Sequence, residues 1–89
     1  MIRNFRNRAL RDFWATDNPR GLSVQNSKRV RIMLQELNLA RRPEDMNISG
    51  YYFHRIGRGV WSLRVTGNWR LTFGWAGEDA TDVDLTDYH

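Results

Sequence analysis

His54, Arg64, Arg70 and Tyr88 are all even-numbered, in a stretch of chain where oily and polar residues alternate. Together they carry the groups that metal-independent cleavage of RNA requires: a base to activate a ribose 2′-hydroxyl, a cation for the crowded phosphate and an acid for the departing 5′-oxygen. Imidazole suits the proton steps because it titrates near neutrality. The guanidinium fork suits the phosphate, and Arg70, with Arg64 beside it, is the candidate for that role. His89 is odd-numbered, but as the last residue it is not bound by strand parity. Each residue also has a structural alternative. His54 is then a surface residue, Arg64 an ion-pair partner of Asp84 or Asp82, and Tyr88 and His89 part of a frayed end.

The element that must position the two arginines is a hairpin over residues 61–73. Trp61, Leu63, Val65, Trp69, Leu71 and Phe73 are apolar, whereas Ser62, Arg64, Thr66, Arg70 and Thr72 are polar, which is the strand period. Keeping both oily rows on one face calls for an odd-numbered loop, and Thr66, Gly67 and Asn68 suit it. A two-residue Gly67-Asn68 turn is the alternative. It sets Thr66 opposite Trp69 and needs a bulge to restore the phase. Arg64 then faces Arg70, and like charges directly opposite destabilise a sheet, so a nearby carboxylate or an anionic ligand is expected.

Extending the register outward, a three-residue turn at 57–59 sets Ile56 against Val60, His54 against Ser62 and Phe53 against Leu63. A loop centred on residue 78 sets Phe73 against Val83, Thr72 against Asp84 and Arg70 against Thr86, with Tyr88 following on the same face. Trp61, Trp69 and Trp75 share the oily parity and are expected in the core.

Helices must cover that oily face. The pattern predicts a short strand over 2–5, a helix over about 7–16 with Ala9, Leu10, Phe13 and Trp14 on one side, and a second helix over about 23–40 capped by Ser23. Val30, Met33, Leu34 and Leu37 form its buried stripe, and Lys28, Arg29 and Arg31 lie largely off it. Pro43 ends the helix, 44–50 reads as loop and 51–56 as strand. The fold class is α+β, a two-layer sandwich with helices on an antiparallel sheet.

The 89 residues leave room for one domain, 1–89, with a modest core. The chain has no cysteine and only two widely separated histidines, so neither a metal site nor a cofactor is expected. It shows neither a membrane-length apolar run nor a signal-peptide core, and a cytoplasmic location is expected. Residues 1–42 hold ten Lys/Arg against three Asp/Glu, and residues 43–89 hold four against seven. A basic N-terminal half suits a polyanion such as RNA or DNA, or else a solvated helix face that docks an acidic protein.

Several segments in order resemble the HigB toxins, also called plasmid maintenance system killer proteins, of the RelE/ParE superfamily. They are Met1-Ile2-Arg3-Asn4-Phe5-Arg6, Lys28-Arg29-Val30-Arg31-Ile32-Met33-Leu34, Pro43-Glu44-Asp45-Met46-Asn47, Trp61-Ser62-Leu63-Arg64-Val65, Gly67-Asn68-Trp69-Arg70-Leu71-Thr72-Phe73, Asp82-Val83-Asp84 and Asp87-Tyr88-His89. The resemblance implies a RelE-like fold and a type II toxin that cuts messenger RNA in the ribosomal A site by 2′-hydroxyl attack, arresting growth. It also implies a HigA-like helix-turn-helix antitoxin, through which alone the toxin meets operator DNA. By this likeness His54, Arg70, Tyr88 and His89 take the active-site positions, while Arg58, Arg64, Lys28, Arg29 and Arg31 contact RNA. Such toxins often carry a lysine a few residues after the first histidine, and here Arg58 stands near that place. The rival functions are a ParE-like gyrase poison and a non-catalytic module that binds nucleic acid or antitoxin.

Overall fold

In the computed structural model, residues 1–88 are described. Helix α1 spans Arg8–Thr16, α2 spans Ser27–Leu39, and a four-residue 3-10 helix follows at Pro43–Met46. Strands β1 (His54–Gly57), β2 (Val60–Thr66), β3 (Trp69–Ala76) and β4 (Asp79–Asp87) form one antiparallel sheet in sequential order. The α+β class is as expected. The segment predicted as an N-terminal strand lies parallel to β4, touching it through two isolated bridges, Ile2 with Ala80 and Phe5 with Val83.

Local chemistry sets the helix ends. Asn7 caps α1, its side-chain oxygen accepting from the Leu10 amide at 2.9 Å, and Asp17 closes it in the left-handed conformation at φ 62°. The predicted cap of the second helix, Ser23, is displaced to Asn26, which accepts from the Arg29 amide at 3.2 Å. Asn is as good a cap as Ser, and the helix starts where the cap's geometry closes, leaving residues 23–25 as a bend.

All three hairpins differ from the odd-loop expectation in the same way. Gly57 pairs with Val60, Thr66 with Trp69 and Ala76 with Asp79, so each turn has two residues. Gly59, Gly67 and Gly77 supply the positive φ that such turns need. A two-residue turn pairs residues of opposite parity, and one irregularity per hairpin restores the phase: between Arg55 and Gly57, between Arg64 and Thr66, and between Thr72 and Gly74. Beyond the bulges the expected pairs appear: His54 with Ser62, Arg64 with Arg70, Thr72 with Asp84 and Arg70 with Thr86. The Phe73–Val83 pair falls at the third irregularity and is replaced by Gly74 with Thr81. There Asp82 takes φ 49°, bracketed by Asn4, which donates to its carboxylate at 3.0 Å and accepts from its amide at 3.1 Å.

The core joins Leu10 and Phe13 of α1, the α2 stripe Val30, Met33, Leu34 and Leu37, and the odd sheet row Leu63, Val65, Leu71, Phe73, Val83 and Leu85, all buried. Trp61, Trp69 and Trp75 pack half-buried on this cluster, Trp61 stacking on Phe73 with centroids 6.0 Å apart. Leu34 has no exposed surface. Leu34→Ala should therefore cost about 2–5 kcal/mol, a large share of a small domain's stability, seen as a lower urea midpoint with unchanged slope.

Candidate active site

The even face of the sheet carries two cross-strand rows, His54–Ser62–Thr72–Asp84 and Arg64–Arg70–Thr86. Its centre is less open than alternation alone implies. Ser62 is fully buried and Thr72 nearly so, because small side chains in mid-sheet form a floor beneath longer neighbours. A cavity of about 350 Å³ adjoins Thr72, walled by Arg6, Arg58, Trp75, Asp82 and Asp84. A larger hollow of about 490 Å³ lies elsewhere, between α1 and the following loop, and contains none of the predicted site residues.

His54 is exposed at the start of β1, and its Nδ1 lies 2.9 Å from the carbonyl oxygen of Tyr52. A carbonyl only accepts, so Nδ1 carries the proton and a neutral ring keeps its lone pair on Nε2. In that tautomer Nε2 is the ring nitrogen not engaged by the Tyr52 carbonyl.

Neither predicted carboxylate partner accommodates the arginine pair. Among the described residues Arg64 and Arg70 form no ion pair. The predicted partners are engaged elsewhere: Asp84 accepts from the Leu85 amide and Asp82 from Asn4. Instead, Arg64 lies over the ring of Tyr52, 4.7 Å from its centroid, and Arg70 over Tyr88 at 6.0 Å. Arg70 also donates from Nη1 to the Gly67 carbonyl at 2.7 Å and to that of Trp69 at 3.2 Å. Aromatic faces and turn carbonyls offset positive charge without neutralising it. Tyr88, just past β4, is tied by its amide to the Asn68 carbonyl at 2.7 Å, so the chain is held to the β2–β3 turn there. His89 lies outside the described residues.

Tyr52 carried no signal in the alternation, because the predicted strand over 51–56 is regular only from His54 onward. Tyr52 sits at φ 51°, a conformation costing a bulky residue about 1–3 kcal/mol. Its neighbours fix it. The Arg64 amide donates to the Tyr51 carbonyl at 2.7 Å, and the Arg29 guanidinium donates to Gly50 O at 2.9 Å and Arg64 O at 3.0 Å. Arg29 also lies over the Tyr51 ring at 5.0 Å, and the Tyr51 hydroxyl donates to Glu36 of α2.

The other basic candidates divide. Arg31 pairs with Asp17 and lies over Phe13, so it and Arg29 brace the fold, while Lys28 and Arg58 remain exposed. Among the described residues no three His or acidic groups gather as a metal-binding cluster, and no helix is long and apolar enough to cross a membrane.

This α+β chain with a paired-arginine sheet face belongs to a family of small toxins, the HigB-like toxin family, described as RelE-like toxins of the type II toxin-antitoxin system HigB, matching it over residues 3–89. It is 29% identical over 92 residues, spanning the whole of both chains, to the Endoribonuclease HigB of Proteus vulgaris. A type II toxin implies a cognate antitoxin as partner.

Burial, followed by the hydrogen bond to Glu36 and its charge, pushes the Tyr51 hydroxyl up to about 12 from an ordinary value of 10.0. The folded state then keeps its proton where the unfolded chain has lost it, so this group's contribution to stability is full below pH 10 and falls away between about pH 10 and 12. Tyr51→Phe should flatten that loss, measured as urea midpoints at pH 9 and pH 11.5 for both proteins.

Proposed function

We propose that this toxin is a metal-independent endoribonuclease that cuts messenger RNA in the ribosomal A site, and that its antitoxin is a HigA-like helix-turn-helix protein. The observation that carries the reading is the Tyr52 carbonyl holding His54 as a base on the sheet face that also bears the Arg64–Arg70 pair. The name of the Proteus vulgaris relative supports the same activity.

His54 Nε2 removes the proton of the ribose 2′-hydroxyl, and the 2′-oxygen attacks the adjacent phosphorus. Arg70 binds the phosphate oxygens as charge accumulates on them. Its guanidinium is oriented by the Gly67 and Trp69 carbonyls through Nη1 alone, which leaves donors for an anion. The bond to the 5′-oxygen breaks, that oxygen is protonated from the Tyr88–His89 end, and the products are a 2′,3′-cyclic phosphate and a 5′-hydroxyl. By strand spacing and rise, His54 and Arg70 stand about 12 Å apart at the backbone, so two long side chains reach the same phosphodiester from opposite sides. Lys28 and Arg58 extend the positive surface toward ribosomal RNA, and the toxin acts in the cytoplasm.

Induction without antitoxin should arrest growth and create 5′-hydroxyl ends within translated messages, read by mapping RNA 5′ ends. Intact transcripts accompanied by gyrase-linked DNA breaks would sink the proposal in favour of a gyrase poison. Arg70→Ala should lower cleavage by at least about a hundredfold and abolish killing, with folding and antitoxin capture retained. Full toxicity of that variant at matched expression removes Arg70 from the mechanism.

A further inference from the structure

We infer that Tyr52 is a base-stacking platform for the single-stranded RNA substrate, an inference that rests on the nuclease reading and adds to it a residue outside the acid–base and phosphate-binding set. Tyr52 is 64% exposed, although one face of its ring is covered by the Arg64 guanidinium. A large aromatic is costly to hold at φ 51°, and no core contact requires the ring there. What fixes it is polar: the carbonyl of Tyr52 receives the His54 Nδ1 proton, and the carbonyls of Gly50 and Tyr51 are bound by Arg29 and the Arg64 amide.

The result is a row across the sheet face, Tyr52, Arg64, Arg70, Tyr88. Each ring lies under one guanidinium, and the two guanidinium-bearing residues are cross-strand partners. Two cations flanked by two exposed rings match a single strand, in which a phosphate lies between flanking bases, and such proteins combine cationic grooves with stacking aromatics. A structured duplex does not fit, because its bases are already stacked. The ring belongs to a residue two before His54, whose backbone carbonyl accepts from His54 Nδ1, so a base resting on Tyr52 sets the position of its nucleotide relative to Nε2.

The test uses ribosomes programmed with a message whose A-site codon is 2′-O-methylated, which blocks attack, and carries 2-aminopurine at each codon position in turn. Stacking on a ring quenches that fluorophore. The wild-type toxin should quench it at one position, and Tyr52→Phe, which retains the ring, should do the same. Tyr52→Asn, which tolerates the left-handed backbone, should lose the quenching and bind about tenfold more weakly, with its urea midpoint no lower than that of wild type. Quenching and affinity equal to wild type in Tyr52→Asn, while wild type cuts the unmethylated codon, overturns the platform and leaves the nuclease standing. A wild-type toxin that neither binds the programmed ribosome nor cuts the unmethylated codon overturns both.

Discussion

The sheet depends on a conflict of phase and its repair. Two-residue turns match the natural twist of antiparallel strands, but they pair residues of opposite parity, and the oily residues of β2 and β3 are odd-numbered. Without correction, each hairpin would put one strand's oily row on the wrong face. A slip at Val65 alone would turn Arg64 toward the core, and an unpaired guanidinium there costs several kcal/mol. One irregularity per hairpin removes the conflict, and because bulges also increase local twist, the repair contributes to the shape of the polar face.

That face then has to hold two guanidinium groups opposite one another. Seven acidic residues lie in the second half of the chain, and three of those on β4 have partners other than the arginine pair. Asp79 pairs with Arg3, whose guanidinium helps hold its carboxyl below the usual range, Asp82 is bracketed by Asn4, and Asp84 accepts from the Leu85 amide. Tyrosine faces and carbonyl dipoles take up the arginines instead. A carboxylate would have neutralised the pair and competed with any incoming phosphate; a ring and a carbonyl orient the charge and leave it in place. The same polar framework holds the imidazole, since the Tyr52 carbonyl that fixes His54 belongs to the residue whose ring lies under Arg64.

Much of this arrangement was legible in the sequence, for identifiable reasons. Alternation over 61–73 encodes the hairpin and the Arg64–Arg70 pairing, because parity fixes which residues share a face whatever the loop length. Helix α2 was legible from its stripe, though its start was not, since Ser23 and Asn26 are both good caps and tertiary geometry chose between them. At residues 67–68 the structure takes the two-residue alternative with its bulge, whereas at the other two turns alternation alone favours the loop that needs no bulge. Tyr52 was missed for a different reason. It shares the even, exposed parity of His54 but is aromatic where that row is otherwise polar, and its position comes from contacts with Arg64 and His54, which only the folded chain brings together.

The uneven charge of the chain has a more specific meaning than attraction to a polyanion. Two of the basic residues on α2 have their guanidinium groups engaged by the protein itself: Arg31 by Asp17 and Phe13 at the surface, and Arg29 by two carbonyls and the Tyr51 ring. Arg29 bonds the carbonyl of Arg64, whose amide is bonded by Tyr51, so α2 and the segment before β1 together hold both polar backbone groups of a residue in the cationic row. Both bonds leave one nitrogen, Nη2, so a single terminal amino group of Arg29 bridges Gly50 and Arg64. The basic half of the chain therefore acts on the site partly through the backbone. From beneath the sheet one arginine fixes the strand that carries Arg64.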